Sequence, residues 1–237
     1  MPVVAASRAG RDYGLRVADD LTHLTVDALL SGALEELRDP EDVPMSHLVE
    51  LHCRPEERVF EAAAVRLGRP ESTERELGAW ILRELGRPGD DGRRPFSDRA
   101  IPLLMDALRG EKDPRVERAL LRALAFNRAW EALPEFLSRT GHPDAGVRET
   151  VAFHLPAVLC PGVLGQEVAE AFVMLAGDSE PDVRFYAVYA VAEEGVDVGD
   201  GPRGRIRRLA AVDPDEQVRD LARKLVKRFR EETNDQD

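Results

Sequence analysis

Asp178-Ser179-Glu180-Pro181-Asp182-Val183-Arg184 reads as the start of a helix. An Asp or Ser ahead of the helix can accept hydrogen bonds from its unpaired first N–H groups. Proline is tolerated in the first turn, where its missing donor would be orphaned anyway, and acidic residues suit the positive end of the helix dipole. The same plan returns in Asp213-Pro214-Asp215-Glu216-Gln217-Val218-Arg219 and in His142-Pro143-Asp144-Ala145-Gly146-Val147-Arg148. Glu111-Lys112-Asp113-Pro114-Arg115-Val116-Glu117 keeps the plan with Glu in place of the final Arg. Arg69-Pro70-Glu71-Ser72-Thr73-Glu74-Arg75 has Glu where Val is expected, and Asp39-Pro40-Glu41-Asp42-Val43-Pro44 is the most degenerate copy.

Taking the Val of the better copies as a reference, the six positions are 44, 74, 116, 147, 183 and 218. Their uneven spacings of 30, 42, 31, 36 and 35 residues are what loops of different length between stacked units produce. Small or apolar residues recur four, five and eight positions later, as in Ala187, Val188 and Val191 after Val183, or Leu120, Leu121 and Leu124 after Val116. They form one helical stripe. A second helical pattern precedes each start, at about Val26–Arg38, Glu56–Leu67, Arg99–Arg109, Trp130–Arg139, Gln166–Ala176 and Arg203–Val212. Two antiparallel helices repeated six times predict an all-α solenoid. The expected organisation is an N-terminal extension over residues 1–21, partly disordered, then the array over 22–230, and an acidic tail over 231–237.

These Asp-Pro-x-x-x-Val-Arg starts resemble those of bacterial HEAT-repeat proteins, in particular the phycobiliprotein-lyase-type HEAT-like repeats. Leu29-Leu30-Ser31-Gly32-Ala33-Leu34-Glu35-Glu36-Leu37-Arg38-Asp39-Pro40 and Glu74-Arg75-Glu76-Leu77-Gly78-Ala79-Trp80-Ile81-Leu82 look like repeats of such proteins. The resemblance covers residues 22 to 230. It implies a right-handed superhelix whose second helices line a concave surface. It is specific for fold and weak for function, since such repeats serve scaffolds, regulators, lyases and a few enzymes.

The 33 basic and 45 acidic residues of the 237 leave a net charge of −12, which disfavours a general nucleic-acid binder. Thirty of the 33 basic residues are arginines. The charge is uneven: residues 203–230 carry +6, leaving −18 for the rest. The basic segment reads either as a phosphate or acidic-protein contact or as the polar cap a terminal repeat requires, and the cap is the favoured reading. No apolar run approaches a membrane span, and Met1–Tyr13 lacks a signal peptide's plan, so a cytoplasmic protein with Cys53 and Cys160 as free thiols is expected. The cluster His47, His52 and Cys53 has spacings that do not gather three ligands on one face, so no metal or other cofactor is expected. No nucleophile elbow, phosphate loop, Rossmann glycine pattern or His-Glu-x-x-His is present, and no catalytic residue is assigned. Gly86–Pro95 and Asp197–Gly204 read as mobile loops by composition.

Two sets of residues stand out. Arg75, Arg148, Arg184 and Arg219 follow the reference position, beside acidic residues of the same turns. They form either an anion-binding ladder or, as the resemblance favours, bonds between neighbouring turns of the stack. Six positions past the reference, about 240° around the helix, lie Glu50, Trp80, Arg122, Phe153, Tyr189 and Lys224. Phe185 and Tyr186 share that outward side. In a chain with 5% aromatics, a row of them away from the core predicts a binding ridge, with Glu76, Arg118 and Glu149 beside it. A register error of one position would instead turn these rings inward.

Such a ridge suits an amphipathic helix or extended peptide, so the leading expectation is a non-catalytic interaction or scaffold module with a protein partner. A HEAT-like DNA glycosylase, with Trp80 and Glu76 or Glu84 handling a base, is an alternative that the acidity opposes. Another is an accessory or regulatory protein dedicated to one enzyme. The sequence is silent on oligomeric state.

Overall fold

A computed structural model describes residues 20–38, 45–160, 165–193 and 200–234. The expected N-terminal extension and the reference position Pro44 fall almost wholly or entirely outside them. The described residues are helical, with no strand among them. In chain order the helices are α1 (Val26–Arg38), α2 (Ser46–His52), α3 (Glu57–Leu67), α4 (Ser72–Glu84), α5 (Ser97–Gly110) and α6 (Pro114–Phe126). They continue with α7 (Leu133–Leu137), α8 (Ala145–His154), α9 (Gln166–Leu175), α10 (Pro181–Glu193), α11 (Asp200–Val212) and α12 (Glu216–Asn234). This is the α-solenoid the repeat pattern predicts. Odd-numbered helices make one layer and even-numbered helices the other, and each even helix packs on the next along the array. The even helices pack on one another more closely than the odd ones do.

The helix starts act as the sequence chemistry requires. Asp113 accepts a hydrogen bond from the Arg115 backbone N–H at 2.9 Å, Asp144 from that of Val147 at 2.9 Å, and Asp215 from that of Val218 at 3.1 Å. Val116, Val147, Val183 and Val218 are all buried, as are Leu120, Leu121, Leu124, Val151, Ala152, Leu155, Ala187, Val188 and Val191. At the deviant reference Glu74, the carboxylate stays near the surface and pairs with Arg66 of α3 at 3.1 Å. In the same unit α4 approaches α3 so closely that a Cβ on Gly78 would lie 2.7 Å from the Ala63 carbonyl oxygen. Only glycine fits that approach.

Four local readings change. The expected helix at Trp130–Arg139 divides into a 3₁₀ turn, Trp130–Ala132, and the short α7, with Pro134 in its first turn. Helix α11 begins at Asp200, so the last five residues of the expected loop Asp197–Gly204 are helical, and residues 194–199 lie outside the described ones. Helix α12 runs on to Asn234, into the expected acidic tail. The loop between α4 and α5 is tied down: the Arg94 guanidinium donates to the carbonyls of Gly86 and Glu84, and the Gly86 N–H to that of His52. Asn127, buried at the end of α6, accepts from the Ser97 hydroxyl at 2.7 Å and donates to the carbonyls of Leu82 and Ala123.

A candidate groove on the inner layer

The arginines after the reference position make one repeated bond. Nε and a terminal nitrogen of Arg184 grip Asp213 at 2.8 and 2.9 Å, while its other nitrogen donates to the carbonyls of Asp178 and Ser179. Arg148 holds Asp178 at 2.6 and 2.8 Å and the carbonyls of His142 and Pro143 in the same way. Arg75 holds Glu111 at 2.7 and 3.0 Å and the carbonyls of Arg69 and Pro70. Each guanidinium thus joins its own helix entry to the acid five positions before the next reference residue. Where Glu117 replaces the arginine, the polarity reverses: His142 stands at the acid's place and meets Glu117 at 3.0 Å, with Arg139 at 3.4 Å. Arg219 keeps its carbonyl bonds to Asp213 and Pro214, and no carboxylate faces it among the described residues.

These bonds set the carboxylates' protonation. Burial alone would raise Asp178, Asp213 and Glu111. The Arg148, Arg184 and Arg75 hydrogen bonds, with backbone N–H groups, outweigh it and hold all three below their ordinary values. Basic side chains of the last two helices likewise serve helix ends: Arg205 donates to the Ala176 carbonyl, Arg223 to that of Ala210, and Arg228 to those of Val191 and Ala192.

The outward residues of the even helices lie side by side. Phe153 of α8 stacks on Tyr189 of α10, with ring centres 5.8 Å apart, and meets Tyr186 edge-on at 5.3 Å. Phe185 stacks on Tyr189 at 6.3 Å. Phe153, Phe185, Tyr186 and Tyr189 are each half-buried, so the rings pack on one another and keep an open side. Trp80, also half-buried, stands apart on α4, where the Arg83 guanidinium lies 4.0 Å from its ring centre and 5.0 Å from that of Phe126. Phe126 and Phe153 both contact the His154 ring, so Arg83, Phe126 and His154 complete the row from Trp80 to Tyr189. Sequence reading missed these three. Phe126 was accessible to it, since ten positions past Val116 is one turn beyond the ridge position; Arg83 and His154 lie off that line.

Lys224 is exposed on α12 and makes no ring contact among the described residues, and Glu50 pairs with Arg54 at 2.7 Å. Neither joins the row. His52 donates to the Trp80 carbonyl at 2.9 Å, and His47 is paired with Glu36 at 2.7 Å, so these two rings are engaged in structural bonds.

Beside the rings is a charged strip. Glu76 is buried, pairs with Arg115 at 2.8 Å and accepts from the Trp80 indole N–H at 3.4 Å; burial raises its pKa. Glu149 is half-buried on α8, and burial with nearby Asp182 raises it too. Burial and neighbouring Arg118 lower Arg122. Between the ends of α6, α8 and α10 is a cavity of about 300 Å³, walled by Phe126, Phe153, His154 and Tyr189 and closed on one side by Pro88 and Arg94 of the α4–α5 loop. Burial, Arg122 and Arg83 push His154 down to about 3, so it faces the cavity as a neutral ring.

The fold therefore defines an α-solenoid with a partly apolar face on its even helices. Residues 101–192 match the family model of HEAT repeats. The X-ray structure of YibA from Escherichia coli is similar, at 18% identity and a TM-score of 0.60, over 89% of this chain and 75% of that one. Among curated proteins no match was found. No described helix is long and apolar enough to cross a membrane.

Proposed function

We propose that this chain is a non-catalytic interaction module that binds a segment of a partner protein along its inner face. The observation that carries the reading is the row of half-exposed rings on successive even helices, Phe153, Tyr186, Phe185 and Tyr189, continued by Phe126 to Trp80. Aromatic side chains bury much area at small entropic cost, which makes such rows good anchors. HEAT repeats commonly serve protein interaction, in accord with this use. Glu76, Glu149 and the nearby Asp182 lie along the same strip and disfavour a phosphate backbone as its occupant. A cytoplasmic setting suits the two exposed free thiols, Cys53 and Cys160.

The test is capture from a lysate of the native host with the full chain as bait, followed by mass spectrometry. A stoichiometric partner is expected. Its binding should fall by tenfold or more in Phe153→Ala with Tyr189→Ala, while the melting temperature shifts by only a few degrees. Recovery of no such partner, or binding that survives both replacements, overturns the reading.

A further inference from the structure

Among the described residues, half-buried arginines are characteristically bonded, as Arg54, Arg75, Arg139 and Arg148 show. Arg118 and Arg122 depart from that rule. They lie one turn apart on α6, both half-buried, and neither has a hydrogen bond or ion pair among the described residues. Arg118 reaches across to α8, where a Cβ on Gly146 would come within 2.8 Å of its guanidinium; glycine leaves the room it occupies. Arg122 is within electrostatic reach of Glu149, Glu76 and Tyr186, and of His154, which lines the cavity. Two adjacent cations drawn from water without a bonded anion are costly in a free protein, and an arginine fork is the side chain best matched to a carboxylate.

We infer that Arg118 and Arg122 receive a carboxylate side chain of the bound segment, whose neighbouring large apolar residue fills the cavity beside His154. The inference rests on the groove reading above and names the chemistry its partner must carry. Three features fix the choice. The cavity, at about 300 Å³, is at the small end of ligand pockets and suits one side chain. Aromatic surface lies on both sides of the arginine pair, Trp80 toward α4 and Phe153 with Tyr186 toward α10, so the chain passes over the pair and the acid is internal. Glu76 and Glu149 are within electrostatic reach of the pair and repel a doubly charged phosphate more than a single carboxylate.

The test uses terminally blocked nine-residue peptides on beads, randomised except for a central Glu, Gln, Lys or phosphoserine, probed with the full chain. Peptides with central Glu flanked by aromatic or large aliphatic residues should be enriched. Fluorescence anisotropy on the best of these should show a loss of tenfold or more when its Glu is replaced by Gln. In the Arg118→Gln, Arg122→Gln protein the preference for Glu over Gln should vanish while weak apolar binding remains. Arg122→Lys, which keeps charge and helix propensity, should retain the fold and lose affinity severalfold. Enrichment of peptides without regard to the central residue, a preference for phosphoserine, or a Glu preference untouched by the arginine variants overturns the carboxylate assignment and leaves the groove standing. Absence of any enrichment overturns both.

Discussion

Replacing Arg184 by Ala tests the bond on which the stack is built. The guanidinium is 8% exposed and Asp213 2% exposed, and four hydrogen bonds converge on the arginine. Without it, Asp213 stays buried in a folded chain with the Asp215 N–H among its remaining donors, and the Asp178 and Ser179 carbonyls lose theirs. Breaking a buried pair from one side costs about 3 to 5 kcal/mol. Arg219 is the internal control. It makes the same carbonyl bonds without a facing carboxylate among the described residues, so Arg219→Ala should cost about 1 kcal/mol. Removing both partners, as Arg184→Leu with Asp213→Leu, should recover at least half of the single-variant loss, because no charge is then stranded. Urea unfolding followed by circular dichroism reads these differences as midpoint shifts at constant slope. Equal effects at Arg184 and Arg219, or a loss below about 1 kcal/mol at Arg184, would refute the view that the arginine–acid bond couples successive repeats.

The reversed rung gives a second test: Glu117→Arg alone should cost about 3 kcal/mol, since it would set an arginine against Arg139 and His142. Adding His142→Asp should bring stability back to within about 1 kcal/mol of the parent, and urea midpoints check both. Asn127→Ala should cost about 2 to 3 kcal/mol in the same assay, because the Ser97 hydroxyl and the Leu82 carbonyl lose a buried partner. The pH dependence of melting should be two-sided. Asp178, Asp213 and Glu111 have lowered pKa values, so their contribution is complete above the ordinary carboxylate values of 3.8 and 4.5 and is lost as pH falls through the lowered ones. Glu76 and Glu149 have raised values, so they cost stability at neutral pH and that cost is relieved as pH falls toward 4.5. Glu149→Gln should therefore raise the melting temperature at pH 7 and shrink the gain on mild acidification; a lowered melting temperature would contradict the assignment.

The solenoid was legible because each repeat announces itself locally. A capping Asp, a proline in the first turn and a buried Val act within seven residues, and 3.6-residue periodicity carries the stripe onward. The ridge positions were legible for the same reason, although Glu50 and Lys224, equivalent by spacing to Trp80 and Tyr189, stand outside the row. Spacing determines the direction in which a side chain leaves its helix. What it meets there depends on the neighbouring helix.

The sequence by itself determined the helices, their pairing into repeats and the uneven distribution of charge. The tertiary structure decided which charges meet. Arg184 reaches Asp213 and Arg148 reaches Asp178 across 29 and 30 residues, and the Glu117–His142 exchange makes sense only once those positions are seen to face each other. The stacking of α6, α8 and α10 likewise creates the cavity beside His154 and leaves Arg118 and Arg122 without a bonded anion among the described residues. The physical reason is one of range: capping and periodicity act over a turn or two of one helix, whereas ion pairing and ring stacking require side chains on separate helices to be brought within a few ångströms, which only packing does.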